Sequence, residues 1–173
     1  DGSIVAVGAP GSDYLINGIY RYSDTGEVRI YQNIDNNWVK IGNSIDESGG
    51  GNNKDDNFGK SVALSSDGNI VAVGAPNHDS WKGNVRIYQN ENGAWTQIGN
   101  DIDGDSSYDY SGTSISISGD GHTVAIGAYG NIPESTSNSI GIAGHVRIYQ
   151  NNNGTWTQIG NDIDGDQLDG RFG

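Results

Sequence analysis

The sequence predicts an all-β protein built from three repeats of a four-stranded antiparallel sheet. The segment Val-Arg-Ile-Tyr-Gln-Asn, followed a few residues later by Trp, occurs three times, beginning at Val28, Val85 and Val146. Glycine is abundant, at 28 residues, and the apolar residues show no helical period. Repetition on this scale is typical of solenoids, propellers and arrays, and short segments separated by turn residues favour strands.

Each repeat begins with two segments that have the character of strands. The first, 61–65, alternates polar and apolar residues and recurs at 114–118, and such alternation predicts a half-buried strand. The second, 70–75, is a continuous run of small apolar residues that recurs at 4–9 and 124–128. A run of that kind predicts a strand buried on both faces, and its glycine suits a place where two backbones approach closely.

Two further segments, 85–89 and 95–99, complete the predicted sheet. Asp67-Gly68 joins the first strand to the second, and Asn92-Gly93 joins the third to the fourth. Both dipeptides favour two-residue hairpin turns with positive φ at both positions. The link from the second strand to the third differs in length between repeats, which predicts that one face of the assembly is free to vary.

The spacing of the repeats predicts how the domain is divided. Asp-Gly turns fall at positions 1, 67 and 120, and this spacing fits one four-stranded propeller blade per repeat. We predict a single repeat domain over 1–173, with units of about 1–58, 59–111 and 112–173. The first unit lacks its first strand, so we expect about eleven strands in an incomplete or open ring of β-propeller-like blades. This offset also predicts a fragment of a longer propeller or array, with the missing strand supplied by a neighbour.

Composition excludes several classes of function. The net charge is −13 and no Lys/Arg cluster is present, which argues against binding to nucleic acid. The absence of cysteine excludes disulfides, thiolate zinc sites and thiol nucleophiles. No apolar run is long enough to cross a bilayer, so we expect no insertion into a membrane.

Phe58-Gly59 and the Val-Gly-Ala-Pro at 73–76 resemble the FG-GAP repeat of the integrin α-chain propeller. The wider pattern is similar to the FG-GAP subfamily found in surface proteins of marine bacteria and algae. The resemblance implies an extracellular or cell-surface protein used in adhesion or as a structural element. Two motifs depart from it, with Ser111-Gly112 in place of Phe-Gly and Tyr129 in place of the proline. The calcium loop that integrin-type blades often carry is not matched, since 66–69 is too short for it.

Acidic turns after the fourth strand are the candidate metal sites. Calcium takes six to eight oxygen ligands, and alternate carboxylates ending in glycine can supply several of them. The candidate ligands are Asp101, Asp103, Asp105 and Asp109 in the second unit and Asp162, Asp164, Asp166 and Asp169 in the third. The alternative is that these side chains accept hydrogen bonds from backbone N–H groups of the turns. Calcium is thus the only cofactor that the sequence suggests.

Three further residue types are singled out by their positions. Tryptophan recurs at one strand position, where we expect contact between blades, and arginine recurs in the third strand, where we expect a bidentate pair with a turn carboxylate between blades. These residues are Trp38, Trp95 and Trp156, and Arg29, Arg86 and Arg147. Trp81 lies alone in the variable link and is the candidate ligand contact, with a loop anchor as the alternative. The three histidines occupy non-equivalent positions, and the sequence predicts no histidine metal site.

These observations predict an extracellular structural or adhesive repeat module. We expect it to self-associate, or to join neighbouring repeats, through open strand edges, and to display its variable loops on a cell surface. No nucleophile, phosphate-binding or zinc motif is present, so the sequence predicts that the protein is not an enzyme. The alternative function is a lectin-like carbohydrate-binding propeller that depends on calcium and takes glycans or surface proteins as partners.

Overall fold

A computed structural model describes residues 2–16, 19–22, 25–46, 55–130, 143–167 and 170–173. The strands are, in chain order, β1 (Ile4–Ala9), β2 (Tyr14–Ile16), β3 (Ile19–Tyr22), β4 (Glu27–Ile34), β5 (Asn37–Lys40), β6 (Ile45–Asp46), β7 (Ser61–Leu64), β8 (Ile70–Ala75), β9 (Asn84–Glu91), β10 (Ala94–Gln97), β11 (Ile102–Asp103), β12 (Ser111–Ile117), β13 (Thr123–Ala128), β14 (His145–Asn152), β15 (Thr155–Gln158) and β16 (Ile163–Asp164). One helical turn, α1 (His78–Trp81), lies between β8 and β9.

The strands form three antiparallel sheets, which we call blades 1, 2 and 3. Blade 1 has the order β1-β4-β5, blade 2 has β7-β8-β9-β10, and blade 3 has β12-β13-β14-β15. Each blade also has a two-residue strand: β6 pairs with β4, β11 with β9 and β16 with β14. Strands β2 and β3 pair as a separate hairpin in the first variable link. The three sheets do not close into a ring. The prediction of an all-β, propeller-like fold with eleven principal strands is confirmed.

The two kinds of hairpin turn differ. Asn92 and Gly93 have φ of 56° and 90°, as expected for the turn between the third and fourth strands. Between the first and second strands only Gly68 has positive φ, at 71°. Asp67 instead uses its Oδ1 to accept hydrogen bonds from Ser65 Oγ at 2.6 Å and from the backbone N–H of Asn69 at 3.0 Å. The prediction of positive φ at both positions is therefore wrong for the Asp-Gly turns at 67 and 120, because each aspartate caps its loop with its side chain; Asp1 lies outside the described residues.

Adjacent blades meet where two glycines lie backbone to backbone. Blades 1 and 2 meet at Gly8 and Gly59, and blades 2 and 3 meet at Gly74 and Gly112; Gly127 of blade 3 meets Gly173, in the segment that follows this blade, in the same way. A Cβ on the first glycine of each pair would overlap the backbone around the second, so a side chain there would push the sheets apart. The glycine of Gly-Ala-Pro and the glycine of Phe-Gly are thus two halves of one joint between blades.

The repeated tryptophans lie at the outer edge of the same joints. Trp95 Nε1 donates to the carbonyl of Ile41 in blade 1 at 3.3 Å, and Trp156 Nε1 donates to the carbonyl of Ile98 in blade 2 at 3.0 Å. The predicted contact between blades is confirmed for these two residues. Trp38 is 50% exposed, because no described blade precedes blade 1.

The core lies between the blades, in two layers. In the first layer Val28 and Ile30 of β4 pack against Val71 and Val73 of β8, with Phe58 beside them, and all five are fully buried. The second layer, between blades 2 and 3, is equivalent. Its buried members are Ala72, Val85, Ile87, Ile102, Val124 and Ile126. Each blade is therefore stabilised mainly by the faces of its neighbours, as expected for stacked repeats.

The helical turn α1 is irregular. Asp79 and Ser80 inside it have φ of 46° and 61°, which lie in the left-handed region that residues with a Cβ rarely adopt. Within the described ranges no helix has the length and apolar character needed to cross a bilayer.

The glycine joint predicts a specific loss of stability. Replacing Gly74 by Ala places a Cβ against the backbone of Gly112. The φ of Gly74 lies outside the left-handed region, so the alanine adds no backbone strain of its own. We expect the free energy of unfolding to fall by about 3 kcal/mol, at the upper end of overpacking costs. Urea denaturation measures this change. Gly160→Ala is the control, since Gly160 has positive φ and open space and should cost only about 1 kcal/mol. Equal losses in both variants would contradict the joint.

Candidate functional site

In blade 3 the arginine of the third strand is held by the acidic turn that follows the fourth. Arg147 Nε and Nη2 donate to Oδ1 and Oδ2 of Asp162 at 2.9 and 2.6 Å, and Gln158 Nε2 donates to Oδ1 at 2.7 Å. Arg147 Nη2 also lies 2.5 Å from Oδ2 of Asp105, in the turn after blade 2. The bidentate pair with a turn carboxylate is present, but it lies within blade 3 and not between blades as predicted; the contact between blades is the one from Arg147 to Asp105.

Blades 2 and 1 keep this ion pair in different forms. Arg86 Nε donates to Asp101 Oδ2 at 2.8 Å, within blade 2. In blade 1, Ser44 occupies the position of Asp101, and Arg29 pairs instead with Glu27, two residues before it on β4. The arginine therefore has a carboxylate beside it in every blade, supplied by the turn in blades 2 and 3 and by the strand in blade 1.

The other acidic candidates take several roles. Asp109 is buried, and its Oδ2 accepts hydrogen bonds from the backbone N–H groups of Asp105 and Ser106 at 3.1 and 2.8 Å. It therefore caps the turn, as the alternative to calcium predicted. Asp103 and Asp166 are exposed, and Asp169 lies outside the described residues. Among the described residues, the carboxylates of 101–109 do not form a group of three with converging oxygens.

One group of possible metal ligands does converge, and it includes a histidine that sequence reasoning missed. A ring nitrogen of His145 and one carboxylate oxygen each of Asp162 and Asp164 lie within 4.8 Å of one another. His145 begins β14 and pairs in register with Asp164 of β16. The sequence does contain a signal for this histidine. His145 lies two residues before Arg147, at a position that Asn84 and Glu27 occupy in the other repeats.

The ionisation of this group follows from its surroundings. Burial, with the positive charge of Arg147, lowers the pKa of His145, so the imidazole is neutral at pH 7. Hydrogen bonding from Arg147 lowers the pKa of Asp162 against the opposing effect of burial. The site thus combines a neutral imidazole with an ionised, oriented carboxylate.

Trp81 belongs to an exposed aromatic cluster. Its ring stacks on that of Tyr108, with centroids 5.1 Å apart and planes 16° from parallel. A second stacked pair, Tyr110 with Tyr129, has centroids 4.8 Å apart. Trp81 and Tyr108 are 42% and 57% exposed, so the first pair presents aromatic surface to solvent. The sequence identified Trp81 and missed its partner Tyr108 as well as the second stacked pair, Tyr110 with Tyr129.

The backbone around these aromatic rings is strained. Trp81, Tyr108 and Tyr110 have φ of 62°, 70° and 55°, which is unfavourable for bulky residues. Two hydrogen bonds hold the segments together, from the N–H of Tyr108 to the carbonyl of Ser80 and from the N–H of Tyr110 to the carbonyl of Trp81. Strained backbone of this kind concentrates at binding sites and switch regions.

The two outer blade faces expose residues whose counterparts are buried inside. On blade 1, Val7 and Trp38 are each 50% exposed, whereas Val73, the counterpart of Val7, is fully buried. On blade 3, Ile163 is 47% exposed and its counterpart Ile102 is 6% exposed. We call these surfaces the blade-1 open face and the blade-3 open face. They are the two halves of the joint that the chain already makes twice.

Comparison with known proteins supports the fold. No protein-family model and no curated protein matches the chain, so the FG-GAP resemblance stays a prediction. Among 57 similar solved chains is a Bacteroides fragilis protein proposed to be a 6-phosphogluconolactonase, with a TM-score of 0.54 and 17% identity. The match covers 83% of this chain and 35% of that protein, so the chain spans about a third of that length. The neighbour has a propeller-like fold, in agreement with the three blades.

This comparison corrects one prediction. The sequence predicted that the chain is not an enzyme, from the absence of catalytic motifs. That exclusion is wrong, because a structural neighbour with the same kind of fold carries the name of an enzyme. Propellers place their functional groups in links between strands that lack a common motif, so missing motifs cannot exclude catalysis. At 17% identity the likeness extends to the fold and assigns no activity.

The pair between Arg147 and Asp162 predicts acid-sensitive stability. Because the folded pKa of Asp162 is lowered, its stabilisation is complete above the unfolded value of about 3.9 and is lost as pH falls through the folded pKa. Asp162→Asn should lower the free energy of unfolding by about 1–2 kcal/mol at pH 7, and this difference should vanish in acid. Urea titrations across pH measure it. Asp103→Asn, at an exposed carboxylate, is the control, and an equal effect there would contradict the assignment.

Proposed function

We propose that the chain is a structural repeat module that joins to further blades through its two open faces. The observation that carries this proposal is the exposure of Trp38, whose equivalents Trp95 and Trp156 both dock on the preceding blade. The blade-3 open face supplies the matching surface, because Ile159 is equivalent to Ile41 and Ile98, the two residues whose carbonyls accept those indoles. A tryptophan in such a pocket is typical of an interface hot spot.

A second copy of the chain fits both faces at once. Each internal joint already buries the side chains that the open faces expose, so a copy can repeat the same contacts without new chemistry. Rings of propellers usually contain four to eight blades, and two chains of three blades fall within that range. Contact between unlike faces is head to tail, which gives a closed ring or a filament.

Assembly leaves the links between second and third strands free for display. The first link carries the hairpin β2–β3, and the second carries α1 with Trp81 exposed. We propose that these links provide the variable contacts of an adhesive or structural protein. A location outside the cell or on its surface stays a prediction from the motif resemblance.

The assembly is tested by sedimentation analysis of single variants. We expect the wild-type chain to associate, and Trp38→Ala to weaken association by at least about 30-fold, equivalent to the loss of about 2 kcal/mol at a hot spot. Val39→Ala is the matched control, since Val39 is 47% exposed but lies on the opposite side of β5. A wild-type chain that stays monomeric at high concentration would contradict the proposal.

Mixing variants tests the direction of the joint. Ile163→Asp damages the blade-3 open face and Trp38→Ala damages the blade-1 open face, so each variant retains one intact half. A head-to-tail joint predicts that an equimolar mixture forms dimers more tightly than either variant alone. Contact between two blade-1 faces predicts instead that Trp38→Ala abolishes association and Ile163→Asp leaves it unchanged.

We propose carbohydrate binding as the second candidate function. The stacked pair of Trp81 and Tyr108 favours it, since exposed aromatic rings bind the apolar faces of sugars and the strained backbone fixes their positions. The expected ligand is a neutral or cationic glycan, because the chain has a net charge of −13.

A glycan array tests this second candidate. We expect Trp81→Ala to reduce binding of any positive glycan at least about 10-fold, the loss of about 1.4 kcal/mol, and Val39→Ala, at an exposed residue outside the aromatic pair and the open faces, to leave it unchanged. A chelator measures the predicted dependence on calcium. An array without a saturable ligand, or equal binding by Trp81→Ala, would remove the lectin-like candidate.

A further inference from the structure

We propose that His145, Asp162 and Asp164 form a binding site for a divalent transition metal, with zinc as the expected ion. A ring nitrogen of the histidine and an oxygen of each carboxylate converge within 4.8 Å. Mixed nitrogen and oxygen donors suit zinc, whereas calcium takes oxygen donors alone. The site therefore differs in chemistry from the calcium loops that the sequence predicted.

The buried histidine is the independent observation that points to a ligand. His145 is 3% exposed, and within the described part of the chain its Nδ1 is buried without a hydrogen-bond partner. A buried polar atom without a partner costs about 1–3 kcal/mol, so its retention calls for a compensating contact. A metal ion bound directly to Nδ1 supplies that contact.

The same position in blade 2 has the same feature. Asn84 is equivalent to His145 and is fully buried. Its Oδ1 is the other buried side-chain atom without a partner among the described residues. In register it faces Asp103, as His145 faces Asp164. Blades 2 and 3 thus both place a buried polar side chain at this position, and only in blade 3 is that side chain an imidazole.

The charges around the site favour a divalent cation. Asp105, Asp162 and Asp164 contribute three carboxylates, and Arg147 contributes one guanidinium. Together these charged side chains leave two negative charges uncompensated. Arg147 leaves Asp162 able to bind a cation, because its Nη2 uses one of the lone pairs on Asp162 Oδ2 and a carboxylate oxygen has two.

The geometry needs only a small movement to bind zinc. Tetrahedral donors at zinc distances of about 2.0–2.2 Å lie roughly 3.4 Å apart. Asp164 is exposed and free to rotate towards the other two donors. Arg147 and Gln158 hold Asp162 in place, as outer partners do for metal-binding carboxylates. Water completes the coordination.

Calorimetry with zinc and absorption spectra with cobalt test the site on the whole chain. We expect one equivalent of zinc per chain, and cobalt bands of a four- or five-coordinate ion. His145→Asn, which installs the residue of blade 2, should weaken binding by at least about 10-fold. His122→Asn, at an exposed histidine in a hairpin turn, should bind like the wild type. Lack of saturable binding, or equal binding by His145→Asn, would overturn the proposal.

Two further variants keep the test decisive. Asp164→Asn changes an exposed residue and should also weaken binding 10-fold or more, so it decides the outcome if His145→Asn fails to fold. Asn84→His places an imidazole beside Asp101 and Asp103 and should raise the stoichiometry to two equivalents, one per equipped blade. A stoichiometry that stays at one in folded Asn84→His would show that the register of this pocket does not define the site.

Discussion

The fold depends on the backbone-to-backbone contact of two glycines at each blade joint. Gly74 lies against Gly112, and a Cβ on the first would overlap the carbonyl of the second. Only when the sheets approach this closely can Ala72 of blade 2 and Ile126 of blade 3 become buried on their facing sides. The glycines of the repeated motifs thus allow two blades to approach closely. Burial of the apolar side chains between the blades then stabilises the fold.

The joint also explains why the described blades leave two unlike faces open. A blade buries its faces only against neighbours, so a row of three leaves one face open at each end. Within the described part of the chain no blade covers Trp38 or Ile163, whereas their counterparts Trp95 and Ile102 are docked and buried, respectively. Exposed apolar surface of known complementarity is the physical basis of the proposed assembly.

At the rims of the blades each arginine of the third strand has a carboxylate partner, although the residue that supplies the carboxylate differs between blades. Arg147 binds Asp162 from the turn, whereas Arg29 binds Glu27 from its own strand, because Ser44 has replaced the turn carboxylate. The position of Glu27 holds His145 in blade 3, where the turn carboxylate is retained. One backbone position therefore carries a carboxylate, an amide or an imidazole, and the blade is adapted locally without disturbing the joints.

The repeats by themselves determined the all-β class, the eleven principal strands and the contact between blades made by Trp95 and Trp156, because alternation and turn residues act locally along the chain. Sequence alone also placed Asp162 and Asp164 in one candidate site. Only the tertiary structure brought His145 to them and stacked Tyr108 on Trp81, since these partners lie in segments joined by packing between strands and between blades. The Asp-Gly turns were misjudged for a similar reason: the side chain of Asp67 bonds across the loop, and its dipeptide alone does not specify that contact.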